Sequence, residues 1–330
     1  MGIYRLVLAI AVMLSHVGIM VFGKNIGVIA VVSFFLLSGY VMTALIDKNY
    51  SEPYRIPMFY LDRMMRLFPQ FAFYMLLTLV LIRFAHPASP FLSQISHAKM
   101  ALNLSMVPLN FFRYFPHSQI IPQAWSLGLE SQFYIVVPLI VIFAWRAQMF
   151  ALSAAFFLLP YFGVLDSDTW GYRMLPATLF MFLFGSFLYR HARSWALFIA
   201  YGGICSLFAI VAATPSMQRP FDFEVLFGLV IGAPVVWILS NIKSGKIDEV
   251  IGNLSYGVFL NHFFLIWTLQ VVGIEKNSNL YLPILIASSI ALAALSYAIV
   301  ERPSIRIRHT LRKRISITKD VALQPLERVE

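Results

Sequence analysis

Arg5 and His16 are the first residues of the chain whose types and spacing ask for chemistry. They stand in the run from Tyr4 to Gly18, which is otherwise almost wholly apolar. On a helix, eleven residues at about 100° each bring His16 to within about 20° of Arg5 and roughly 16 Å further along the axis. A guanidinium with a permanent charge and an imidazole that titrates near neutrality could therefore line one channel. Ionisable groups at membrane depth cost about 2.5 kcal/mol or more and tend to face protein or water rather than lipid. His16 is thus the leading functional residue.

Four further segments carry candidates. Phe34-Phe35-Leu36-Leu37-Ser38-Gly39-Tyr40 offers Ser38 and Tyr40 as cavity-lining hydroxyls, although Ser and Gly there also suit close helix approach. Arg63 and Arg66, three apart on one helix face, present two forks that can each bind phosphate oxygens bidentately without losing charge. The plainer alternative is positive anchoring at the inner surface. Trp125-Ser126-Leu127-Gly128-Leu129-Glu130-Ser131-Gln132-Phe133-Tyr134 sets the Glu130 carboxylate between the Ser126 and Tyr134 hydroxyls at steps of four. It would need a cation from a neighbouring helix to stay ionised, or it serves as a helix-helix tie. Ser255 and His262, seven apart, share a face, and His262 is either a second base or a structural link. Glu301-Arg302-Pro303 is read as the end of the last helix rather than as a reactive group.

The elements that must position these groups follow from composition. The 330 residues are 60% hydrophobic and 12% charged, with a mean hydropathy of +0.77. An integral membrane protein is expected, with no room for a soluble domain. A span needs about 20 mostly apolar residues. About ten such stretches are found, near 3–23, 26–46, 67–85, 126–145, 148–165, 173–190, 195–213, 223–240, 252–273 and 280–300. The alternation of a membrane β-barrel is absent, so the expected fold is all-α, a polytopic helical bundle. Residues 1–302 would form one transmembrane domain and 303–330 a basic cytoplasmic tail. The proline-punctuated aromatic segment 86–124 is expected to cap a cavity from outside.

With the N-terminus inside, roughly 18 of the 25 Lys and Arg fall on inner segments, which puts both termini in the cytoplasm. The same bias accounts for the net charge of +10 without nucleic acid. Clusters such as Arg312-Lys313-Arg314 would lie on anionic membrane lipids. A lone cysteine, Cys205, excludes an intrachain disulfide and a cysteine metal cluster, and no metal site is expected. The first span lacks a small-residue cleavage site and is read as retained.

Arg5 with His16, Phe34 to Tyr40, Arg63 with Arg66, Trp125 to Tyr134, and Gly252 to His262 with Glu301 and Pro303 occur in the order seen in the acyltransferase-3 family. The chain resembles that family over essentially its whole length. It departs from it in keeping only Arg5 of a Leu-Asp-Gly-Leu-Arg-Ala signature that often precedes the histidine. The extracytoplasmic esterase-like domain appended in some members is not expected here.

The resemblance implies a multi-pass O-acyltransferase of the plasma membrane, in a bacterium the inner membrane. It would move an acyl group, most often acetyl, from cytoplasmic acyl-CoA to a hydroxyl of a glycan or lipid-linked sugar. Acetyl-CoA would be a co-substrate, and no permanently bound cofactor is expected. His16 would be the general base, with an acyl-histidine relay as a variant, and Glu130 would orient a base or acceptor. Arg5, Arg63 and Arg66 would hold the donor, Arg5 with the further option of stabilising developing charge. Ser38, Tyr40, Trp125, Ser126, Tyr134, Ser255 and His262 would line the cavity. A secondary transporter with a buried His, Arg and Glu pathway is the alternative, but repeats and interrupted helices, its usual marks, are not found.

Overall fold

A computed structural model describes residues 1–92, 95–116, 118–191, 193–308 and 310. Most of the expected basic tail, including Arg312, Lys313 and Arg314, lies outside the described residues. Twelve α-helices follow one another among those described: α1 (Gly2–His16), α2 (Ile26–Asn49), α3 (Ile56–Ala85), α4 (His97–Ser105), α5 (Trp125–Ile142), α6 (Arg146–Leu158), α7 (Ser167–Trp170), α8 (Leu175–His191), α9 (Trp195–Ala213), α10 (Asp222–Ser240), α11 (Lys246–Val272) and α12 (Tyr281–Ser296). Eight helices among the described residues are long and apolar enough to cross a membrane, and α1 and α6 are shorter apolar helices. The all-α polytopic expectation is met.

Several boundaries differ from expectation for local reasons. The first span was expected over 3–23, but α1 stops at His16 because Gly18 takes a φ of +95° and a β-bridge joins Val21 to Lys24. At about 1.5 Å per residue, its 15 residues cover roughly 22 Å. The third helix begins at Ile56 rather than 67, so Arg63 and Arg66 belong to its first turns instead of preceding it. Glu301-Arg302-Pro303 does not end the last helix, which continues to Arg308. A π-turn over Tyr297–Glu301, with the Arg302 amide donating to the Tyr297 carbonyl, precedes Pro303. Widening the helix there relieves the clash that a proline ring would make with the carbonyl four residues back.

Helices α2 and α8 sit at the centre, where their backbones touch. A Cβ on Gly39 would meet the Phe182 carbonyl, and one on Gly185 would meet that of Leu36. The contact is reinforced by a buried hydrogen bond from Thr43 to Ser186 Oγ, 2.6 Å long, of the kind that ties helices in lipid. A ring column extends it, with Phe182 stacked on Phe35 at 4.6 Å and on Phe133 of α5 at 4.2 Å. The small residue next to Ser38 therefore sets how closely α2, and the hydroxyl it carries, approaches α5. Gly39→Val is expected to cost about 1–3 kcal/mol or more, because the obstacle is backbone. A thermal melt of the detergent-solubilised protein checks this, and an unchanged Tm would contradict the packing described.

The start of α1 is fixed just as tightly. Asp248 of α11 accepts hydrogen bonds from the Gly2 and Ile3 amides, each at 2.9 Å, serving donors that no helical partner can reach. Gly2 lies against the backbone of Asp248 and Gly252. These contacts hold α1 on α11 and so set Arg5 and His16 in place.

Candidate active site

Two cavities divide the sequence-derived candidates between them. The larger, about 370 Å³, is lined by Arg5 from the start of α1, Ser38 from α2, Arg63 and Arg66 from α3, Glu130 and Tyr134 from α5, and Ser255 from α11. The smaller, about 110 Å³, lies at the other end of α1 and is lined by His16, Asn25, Gln123, Trp125, Ser126 and Arg173. Val31, Ser126 and Phe259 line both, so the cavities adjoin across a thin partition. Arg5 and His16 share a helix face as the spacing predicts, yet each opens into its own cavity.

In the larger cavity, Glu130 Oε1 accepts hydrogen bonds from Ser38 Oγ at 2.6 Å and from the Tyr134 hydroxyl at 2.5 Å. The four-residue step from Glu130 to Tyr134 on α5 gives the second bond. The first depends on the close approach of α2. Ser126, the other expected hydroxyl neighbour, donates instead to the Gln123 carbonyl at 3.4 Å. Arg63 is ion-paired with Asp62, which also accepts from Arg308 Nε and Nη2 at 3.1 Å each. Arg66 is ion-paired with Glu301. Arg5 has no ion pair or side-chain hydrogen bond among the described residues, although it lies within electrostatic range of Glu130 and Tyr134. Arg308 and Glu249 complete the charged lining, so four arginines face two glutamates. Such a surface suits a ligand bearing several phosphates, because guanidiniums keep their charge and bind oxyanions through fixed forks.

In the smaller cavity, His16 is exposed at the end of α1. Its ring stacks on that of His262 with centroids 5.0 Å apart, and His16 Nδ1 lies 3.2 Å from His262 Nε2. His262 is 0% exposed, and its Nδ1 is 3.4 Å from the Val258 carbonyl. A carbonyl only accepts, so the network assigns the proton to His262 Nδ1 and makes His262 Nε2 an acceptor. His16 Nδ1 must then donate, which leaves His16 Nε2 with its lone pair free. Such a pair can serve as a base and the group that fixes its tautomer. Phe263 packs against His16 at 4.9 Å and Phe91, from the loop between α3 and α4, packs against Phe263 at 6.3 Å. The aromatic segment between α3 and α4 thus reaches the histidine end of the molecule.

Of the remaining candidates, Trp125 and Ser126 line the smaller cavity and Ser255 the larger. His262 lines neither and meets the site through His16. Tyr40 is not brought to the site: it points away from Ser38 on α2 and meets Tyr189 of α8 edge-on at 5.5 Å. Sequence reasoning missed Asp62, Arg308, Gln123 and Arg173. Asp62 had a visible signal, a carboxylate next to Arg63 in an otherwise cationic segment. Arg173 and Gln123 had none, since each stands outside a helical repeat.

The chain is also similar to known proteins. The profile of the acyltransferase domain matches residues 3–300. The chain belongs to the acyltransferase-3 family. This acyltransferase-3 protein is 32% identical over 204 residues to an uncharacterized protein of Aquifex aeolicus (strain VF5), covering 58% of this chain and 90% of the relative. It is 26% identical over 323 residues to the peptidoglycan O-acetyltransferase OatA of Listeria monocytogenes, covering 84% of this chain and 51% of the relative. To a putative O-acetyltransferase of Staphylococcus aureus (strain COL) it is 24% identical over 325 residues, covering 84% and 52%. The chain therefore spans about half the length of the named O-acetyltransferases it matches. No solved structure matches. Membership makes the chain an acyltransferase by family.

Proposed function

We propose that this protein is a membrane O-acetyltransferase that takes acetyl from cytoplasmic acyl-CoA and places it on a hydroxyl of a cell-surface glycan or lipid-linked sugar. The observation that carries the reading is the pair of adjoining cavities, one rich in arginine and the other holding a paired histidine with a free ring nitrogen. In this reading the arginine end and both termini face the cytoplasm at the plasma membrane, which the excess of Lys and Arg on alternate segments supports. Acyl-CoA is made there.

Arg5, Arg63 and Arg66 bind the donor's phosphates, with Arg308 beside them. Glu130, locked by Ser38 and Tyr134, accepts a hydrogen bond from an amide of the donor's arm and aims the thioester at the partition. The acceptor hydroxyl enters from the other side and gives its proton to His16 Nε2 as its oxygen bonds to the acyl carbon. The carbon-sulfur bond then breaks, and the thiolate leaves with the proton that His16 returns. A hydroxyl is a poor nucleophile at neutral pH, and a general base of this kind supplies about 10²- to 10⁴-fold.

The test is release of free thiol from acetyl-CoA by the purified protein as a glycan acceptor is added. Acceptor-dependent release with a matching gain of acetyl mass on the glycan is expected. Unaltered acetyl-CoA across a panel of cell-envelope glycans from the source cell would remove this reading and leave a transport role to consider.

A further inference from the structure

Arg173 is held more firmly than its place in a connection between helices would require. Its Nε donates to Asp168 Oδ1 at 2.8 Å, and the other oxygen of Asp168 faces Arg113 Nη2 at 3.2 Å. Its guanidinium lies 4.5 Å from the ring centre of Trp125 and 5.1 Å from those of Phe112 and Tyr172. Its own carbonyl accepts from Asn110 Nδ2 at 3.1 Å. With Nε and the main chain hydrogen-bonded and aromatic rings packed around the guanidinium, the two terminal amino groups are left without a hydrogen-bond partner among the described residues. Arg173 lines the smaller cavity together with His16 and interacts with it electrostatically.

Gln123 points to the same space. It is 1% exposed and its amide nitrogen donates to the Phe259 and Leu260 carbonyls at 3.2 and 2.7 Å, while its Oε1 has no partner. A cavity of about 110 Å³ is well below the usual size of a whole-ligand pocket. It suits an acetyl group and the hydroxyl-bearing arm of an acceptor. Arg5, Arg63 and Arg66 all lie across the partition.

We infer that Arg173 is a further catalytic residue of the acyl transfer, whose terminal amino groups hold the acyl oxygen as it becomes an oxyanion. This rests on the acyltransferase reading of the site. As the acceptor oxygen bonds to the acyl carbon, the carbonyl π pair moves onto the acyl oxygen, where Arg173 meets it, and the hydroxyl proton passes to His16. When that pair returns, the carbon-sulfur bond breaks and the thiolate leaves with the proton. Asp168 offsets the charge of Arg173 in the resting site without occupying its terminal donors. Gln123 Oε1 is left to accept from a second hydroxyl of the acceptor. Donors fixed in advance at the point where charge develops need no rearrangement during reaction, and loss of one such donor costs about 10²- to 10³-fold in kcat.

The experiment uses the purified full chain with acetyl-CoA and a neutral probe acceptor, methyl β-glucoside, with thiol release as the readout. Arg173→Gln is expected to lower kcat by about 10²- to 10³-fold with both KM values little changed, and Arg173→Lys to recover part of the loss. Arg113→Gln, which disturbs the same Asp168 but does not line the cavity, should stay near the parent rate. Melting curves of all three variants report whether the cluster still folds. A rise in the KM for the glucoside with kcat unchanged would make Arg173 an acceptor anchor and overturn the inference. So would an equal loss from Arg113→Gln, or a Tm fall for Arg173→Gln that accounts for the lost rate. Thiol release by the parent with an unaffected Arg173→Gln variant overturns the inference alone. No release by the parent with this acceptor or with envelope glycans overturns it together with the reading beneath it.

Discussion

His16→Gln is expected to abolish acyl transfer, lowering kcat by about 10²- to 10⁴-fold while acyl-CoA binding persists. The amide can donate toward His262 Nε2 as His16 Nδ1 does, but it cannot take a proton at neutral pH. The arginines proposed to bind the donor's phosphates line the other cavity, so donor affinity should not follow the rate. A histidine serving only as a tie between α1 and α11 would be largely replaced by glutamine, and activity would survive. His262→Gln should do less harm than His16→Gln, because His262 fixes the base rather than accepting the proton. Kinetics with isothermal binding of acyl-CoA to each variant separate these cases. Near-normal turnover of His16→Gln would remove it as the base.

Arg5→Ala is expected to weaken acyl-CoA binding by about 10- to 100-fold, the worth of a charged hydrogen bond at roughly 1.5–3 kcal/mol. Arg63→Ala and Arg66→Ala should do the same, but their partners make them different experiments. Asp62 keeps Arg308 after Arg63 is lost. Glu301 is 3% exposed, and Arg66 is its ion-pair partner. Arg66→Ala should therefore also destabilise the protein, since breaking a buried pair costs about 3–5 kcal/mol. Arg5 has no such pair among the described residues, and its loss reads binding alone. Arg306, exposed on the described end of the last helix, should change little when replaced by alanine. Equal losses at Arg5 and Arg306 would mean that surface charge in general, not a built site, attracts the donor.

What the sequence made legible was local. A step of four on α5 gave the Glu130–Tyr134 bond. A step of eleven put Arg5 and His16 on one face of α1, and the small residue after Ser38 anticipated the tight contact of α2 with α8. Pairings across the bundle were not legible. His16 meets His262 across 246 positions, and Asp62 meets Arg308 across the same separation. Periodicity within a helix says which face a residue takes and nothing about which helix it will meet. The same blindness split one expected channel into two cavities, because the partition of Val31, Ser126 and Phe259 comes from three different helices. Pro303 misled for another reason, since a π-turn upstream lets the helix carry it.

The proposed function requires donor and acceptor to meet from opposite sides. Protein reconstituted in vesicles, with its orientation fixed by protease accessibility of the N-terminus, can be given labelled acetyl-CoA on one side only and glycan acceptor on the other. Acetylated glycan should form when acetyl-CoA faces the end bearing Met1, Arg5 and Arg63, and should not form when the two substrates are exchanged. Equal product from both arrangements, or product only with acetyl-CoA on the His16 side, would contradict it.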